Sequence, residues 1–141
     1  MNISIKPCEN LECAADITFD NMRIYYEKYA PQWTAKKVLE VTETLDNYDV
    51  FYNDNVVGVM RLDFEQNHCI LRDLQVLPVM QNKGIGKTLI NKAKELAVEK
   101  GYASLSLRVF KISPAAKLYL RNGFLVQSED DRFYSMLAKL T

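Results

Sequence analysis

The sequence predicts a mixed α/β domain: one continuous, mostly antiparallel sheet of six or seven strands flanked by four helices. Three observations predict it. Residues 48–53, 56–64 and 68–76 follow period two and are joined by the polar turns Asn53-Asp54-Asn55 and Glu65-Gln66-Asn67, which makes an antiparallel meander. Residues 83–99 follow helical spacing, with Ile85, Leu89, Ile90, Ala93, Leu96 and Ala97 on one face and Gly101 as terminator. That helix joins strand 68–76 to a strand at 105–109, a βαβ crossover that sets those two strands parallel. The length, 141 residues, fits a single domain spanning 1–141.

The remaining elements follow from local signals. Residues 3–6 alternate as a first strand. Asn10 caps a helix carrying Leu11, Ala14, Ala15 and Ile17. A second helical stretch runs from Asn21 to Tyr29 and stops at Pro31. Thr34 caps a further helix with Val38, Val41 and Leu45 on one face. Ser113 and Pro114 read as an N-cap and a first helical position, opening a helix that ends at Asn122-Gly123. Residues 124–128 and 132–139 close the sheet as a hairpin.

Bulk properties narrow the function. Eighteen basic residues balance eighteen acidic ones, which gives no support for a general nucleic-acid binder. Cys8, Cys13 and Cys69 form no metal-ligand pattern, and their odd number argues for a reducing, cytoplasmic setting. No apolar run approaches the ~18 residues needed to cross a bilayer, and the first residues lack the order of a secretory signal. No metal and no membrane partner is expected.

The most informative stretch is Val76 to Thr88, a strand end, a turn and a helix start. Helix starts favour Asp and Glu, because unpaired N–H groups and the dipole make that end positive. This one carries Lys83 and Lys87, and no acid appears until Glu95. It is built to hold an anion, foremost a phosphate. Gly86-Lys87-Thr88 matches the end of a P-loop, but Gln81 stands where that motif needs Gly. A dinucleotide fold would need a third glycine at the right spacing. A pyrophosphate cradle of the form Gln-x-x-Gly-x-Gly is met by Gln81, Gly84 and Gly86. The bland alternative is that both glycines only shape a turn.

Two blocks in order carry a family likeness: residues 71–78 (LRDLQVLP) followed by 81–86 (QNKGIG), and residues 113–124 (SPAAKLYLRNGF). Over about residues 56–139 the chain resembles the GNAT superfamily of acyl-CoA-dependent N-acyltransferases. The resemblance implies a sheet splayed between strands 68–76 and 105–109, with acetyl-CoA as cosubstrate. It implies that Gln81, Asn82, Lys83, Gly84, Ile85, Gly86 and Lys87 hold the CoA diphosphate. Leu74, Gln75 and Val76 would pair with the pantetheine arm, with Ser113 and Ala116 close to it. Tyr119 would protonate the departing thiolate; otherwise it is a core aromatic beside Leu118. Ser113 stands where the family often has Asn, which alters any contact near the sulfur.

The proton acceptor is less legible. Where some relatives place a Glu, this chain has Ile70. Asp73 is the nearest acid on that strand, as a base through water, a partner for Arg72 or an amine, or simply half of a salt bridge. Glu65, Asp63 and Asp131 are weaker candidates, and His68 reads as a solvated turn residue. Tyr25, Tyr26, Tyr29, Trp33 and Glu27 form an aromatic and acidic set that suits a cationic amine or packs the first helices. Arg61 and Arg72 can instead greet a carboxylate. The expected activity is acetyl transfer to a primary amine of a small molecule, amino acid or peptide in a ternary complex. A non-catalytic acyl-CoA sensor on the same fold is the alternative. Either a monomer or a homodimer fits.

Overall fold

The computed structural model describes residues 2–140. Its strands form one seven-stranded sheet in the order β1-β2-β3-β4-β5-β7-β6. In chain order these are β1 (Ile3–Pro7), β2 (Asp46–Tyr52), β3 (Asn55–Phe64), β4 (Cys69–Val76), β5 (Ser104–Phe110), β6 (Leu125–Glu129) and β7 (Phe133–Lys139). Four helices accompany them: α1 (Leu11–Tyr29), α2 (Ala35–Thr42), α3 (Ile85–Glu99) and α4 (Ala115–Arg121). The parallel crossover is present, with Ile70 of β4 opposite Ser106 of β5. By contrast, β5 and β7 stay in antiparallel register from Ser104 opposite Lys139 to Phe110 opposite Phe133.

Contacts divide the described chain into two compact units. The first holds residues 2–61 and 73–85, and the second holds 62–72 and 86–140. In the first, Ala14 and Ala15 of α1, Val38 of α2, and Val50, Val57, Val59 and Met60 of the strands are buried. In the second, Leu89, Ile90, Ala93 and Ala97 of α3 are buried, as are Leu105, Leu107, Phe124 and Met136. The period-3.6 face read from the sequence is therefore the buried face of α3.

One expectation needs correction. The two helical stretches before Pro31 are one 19-residue helix, α1. Nothing between them breaks a helix, and Thr18 is accommodated because its hydroxyl donates to the Ala14 carbonyl at 3.0 Å. Asn10 does cap this helix, its side chain accepting from the Cys13 N–H at 3.0 Å. The regular part of α4 begins at Ala115, and Pro114 before it already has helical dihedrals (φ −59°, ψ −22°), so Ser113 and Pro114 stand at the cap and the first helical position, as the sequence predicts. The Ser113 Oγ accepts from the Ala115 N–H at 3.2 Å.

Candidate functional site

The donor turn follows β4 directly. A 3₁₀ turn, Pro78–Met80, leads out of the strand, and the Gln81 N–H closes it on the Pro78 carbonyl at 3.2 Å. Asn82 (φ 61°) and Gly84 (φ 84°) then both adopt the left-handed conformation. Asn and Gly tolerate it because a short polar side chain, or none, avoids the Cβ clash. Positive-φ residues in such a turn are a feature of the backbone nests that bind anions. Helix α3 starts at once, with no acid in its first turn. Among the described residues no acceptor takes the N–H groups of Asn82, Lys83, Ile85, Gly86 or Lys87. Lys83 and Lys87 are both exposed.

Gln81 has a different place. Its N–H is taken, and its Nε2 donates to the Val76 carbonyl at 3.0 Å. It braces the turn rather than offering those donors outward. The Asn21 Nδ2 reaches the same Val76 carbonyl at 2.9 Å, which fills both lone pairs of that oxygen. Gln75 is buried as well, with its side chain between Asn21 (3.3 Å) and Asp73 (3.4 Å). A Cβ on Gly86 would come 2.8 Å from Leu118 Cδ2. The bare Cα of Gly86 is thus explained by packing of α3 on α4, and Gly84, open on all sides to 4 Å, is the glycine shaped by the turn alone.

In the second unit, α4 buries Ala116 and Tyr119. The Tyr119 ring meets Phe124 edge-on at 5.5 Å, and its carbonyl receives the Asn122 and Phe124 N–H groups. Arg72 pairs with Asp63 at 3.4 Å in the same unit. His68 is exposed at its hairpin end.

The first unit holds a feature that the sequence reading placed elsewhere. Arg61 is 0% exposed and cannot greet a carboxylate from solvent. Its Nε donates to Asn47 Oδ1 at 2.6 Å. Its Nη1 donates to Thr18 Oγ1 at 2.7 Å and to Asp73 Oδ2 at 3.1 Å. Its Nη2 has no hydrogen-bond partner among the described residues. Asp73 is therefore bound to Arg61, not to Arg72, and is the salt-bridge residue that the sequence left as one option. Asp49, two residues from Asn47 on β2, is also buried and accepts from the Glu9 N–H at 3.3 Å. Tyr26 stacks between Phe19 (5.7 Å) and Trp33 (5.5 Å). Its phenol is pushed up to about 12, first by burial and then by the charge of Asp73. Thr18, Asn47 and Asp49 escaped sequence reading. The available signal was a lone Arg61 inside the apolar run of β3, a charge that must find partners.

The sheet thus carries, after β4, a turn whose backbone donors suit an anion. The Acetyltransferase (GNAT) family profile matches residues 15–124, and the chain belongs to that family. It is 26% identical over 158 residues to a spermidine N(1)-acetyltransferase of Thermoplasma acidophilum, covering 99% of this chain and 98% of the relative. Its fold is similar to the crystal structure of an N-acetyltransferase of Thermoplasma acidophilum in complex with coenzyme A. The TM-score is 0.78, at 23% identity over 99% of each chain. It is also similar in fold to the ribosomal-protein-S18-alanine N-acetyltransferase of Escherichia coli. There the TM-score is 0.75, at 19% identity, over 99% of this chain and 95% of the other. No helix among the described residues is long and apolar enough to cross a membrane.

Proposed function

We propose that the protein transfers an acetyl group from acetyl-CoA to a primary amine. The observation that carries this is the nest itself: five open N–H groups at 82, 83, 85, 86 and 87, two lysines and no neighbouring acid. These groups fit a diphosphate, since each buried or turn-held N–H that meets an anion makes a charge-assisted bond. Bound there, the carrier supplies an activated acetyl thioester. Leu74 and Gln75 on β4 would present backbone to its amide-bearing arm, as an added strand is recognised. By family likeness alone, Ser113 and Ala116 belong to the proposed carrier contacts as well. Tyr119 would give the departing sulfur its proton. Likeness to a spermidine acetyltransferase supports small aliphatic amines as the first acceptors to try.

Calorimetry with acetyl-CoA, followed by thiol release with an amine panel, tests the reading. Binding in the micromolar range and turnover on at least one primary amine are expected. Absence of binding rejects it. Binding without turnover on any amine makes the chain an acyl-CoA sensor.

Two variants sharpen the assignment. Changing Lys83 and Lys87 together to Ala should weaken acetyl-CoA binding about tenfold at low salt, and less as salt screens the charges. An unchanged affinity would remove the lysines from the site. Tyr119→Phe keeps the ring on Phe124 and loses only the hydroxyl. It should lower kcat about tenfold, below the usual acid contribution because a thiolate leaves readily, with acetyl-CoA affinity preserved. Equal loss in both would assign the residue to packing.

A further inference from the structure

Helix α4, which carries Tyr119, has seven residues, and a helix that short holds its ends weakly by its own bonds. Its C-terminal end is satisfied from several sides instead. Asn122 is the C-cap, and Gly123 takes the left-handed conformation (φ 93°) that commonly follows a helix end. The Phe124 N–H returns to the Tyr119 carbonyl at 3.1 Å, and Asn122 Nδ2 donates to the Leu118 carbonyl at 2.7 Å. The Asn122 carbonyl is taken by a residue of another helix: Lys94 Nζ of α3 donates to it at 2.5 Å. A cation at a helix C-terminus also suits the dipole. The same ammonium stands 5.5 Å over the Phe124 ring, which meets the Tyr119 ring edge-on at 5.5 Å. Lys94 thus touches both supports of Tyr119, the backbone turn behind it and the ring beside it. On α3 it flanks the buried Ile90 and Ala93 and is itself half-buried. Packing there needs only an apolar stem, and ordering a lysine costs more side-chain entropy than ordering Leu. The ammonium is what this position adds.

We propose that Lys94 is a positioning residue for proton transfer by Tyr119, fixing the last turn of α4 and with it the place of the phenol. This rests on the reading of the chain as an acetyl-CoA-dependent N-acetyltransferase with Tyr119 as the acid. In that step a neutral amine forms the new N–C bond, and the C–S bond breaks with its electron pair left on sulfur. The Tyr119 O–H proton passes to that sulfur. The acylated nitrogen releases a proton to solvent, and the phenolate regains one from solvent. Lys94 exchanges no proton. It acts through geometry, and small displacements of a reacting group cost rate steeply.

A double-mutant cycle in kcat tests this. Lys94→Met keeps an apolar stem and loses the charge and the donor. Alone it should lower kcat about fivefold, inside the about tenfold loss set by Tyr119→Phe, with KM for the amine and calorimetric affinity for acetyl-CoA within about twofold. In the Tyr119→Phe background the same change should lower kcat by less than about twofold, because no hydroxyl is left to place. Lys94→Arg keeps a cation at the helix end and should hold kcat within about twofold of the unaltered protein. Should Lys94→Met fail to fold, Lys94→Gln, which keeps a donor without the charge, takes its place in the cycle. Equal falls in kcat in both backgrounds overturn the role, by making Lys94 a general support of the fold. Unchanged kcat at reduced stability overturns it as well, and both results leave acetyl transfer intact. Undiminished kcat in Tyr119→Phe removes the acid and the role of Lys94 with it, while transfer stands. Turnover on no amine at all rejects the functional reading and the role of Lys94 together.

Discussion

Replacing Arg61 with Ala should cost about 3–5 kcal/mol of stability, the loss seen when one partner of a buried ion pair is removed. The size follows from what is stranded. Asp73 loses a donor at 3.1 Å, Thr18 one at 2.7 Å and Asn47 one at 2.6 Å, and none of this region refills with water at no cost. A cavity the length of the arginine stem adds to the loss. In a domain of this size the melting temperature should fall by roughly 10 °C or more. Arg61→Lys keeps the charge but cannot serve three acceptors from one planar fork, so it should recover only part of the loss. Chemical denaturation reads both. A loss below about 1 kcal/mol for Arg61→Ala would mean that solvent already reaches the cluster.

Gly58→Ala should also be damaging, to a smaller degree, for a reason of space and not charge. A Cβ at this position would lie 2.3 Å from the Gln75 carbonyl oxygen, and 3.4 Å from the Gln75 carbonyl carbon and Val76 Cα. These are backbone atoms of the neighbouring strand, so no rotamer change relieves the contact. Strands β3 and β4 must move apart, at a cost of about 1–3 kcal/mol, the range for overpacking a filled interior. The strain would also displace Gln75 and Val76, whose bonds to Asn21 and Asp73 order this end of β4. Weaker acetyl-CoA binding should accompany the lost stability. Gly84→Ala is the informative comparison. It meets nothing within 4 Å, yet φ +84° strains any side chain by about 1–2 kcal/mol. Gly84→Ala should harm binding more than folding, and Gly58→Ala should harm both. Wild-type stability in Gly58→Ala would show that the two strands yield freely at this point.

Much of the fold was legible because its signals are local. Period two in 48–76 and period 3.6 in 83–99 report which face is buried without knowledge of the partner. Most element boundaries moved by a residue or two, as at β2, which starts at Asp46, and β4, which starts at Cys69, whereas α2 stops at Thr42 and leaves Leu45 outside the helix. The fusion of α1 was missed because Thr18 and Asp20 interrupt the apolar rhythm, and only the bond from Thr18 to Ala14 shows how the helix absorbs them. The nest was legible for the same local reason: lysines at a helix start oppose the dipole, and Asn82 and Gly84 are residues that accept positive φ.

Arg61 was not legible. Its partners lie 43, 14 and 12 residues away, on α1, β2 and β4, and no spacing rule connects them. From the chain alone a basic residue near a presumed acceptor site reads as a receptor for carboxylates. Tertiary packing reverses that sign by burying the guanidinium and leaving Asp73 as the partly open group. Periodicity, turn chemistry and helix-end charge act over a few residues, and they marked the strands, α3 and an anion-favouring turn before any coordinates, while the family came from the likeness of residues 71–86 and 113–124. Which charge faces outward depends on what desolvates whom across distant segments, and only the folded chain decides that.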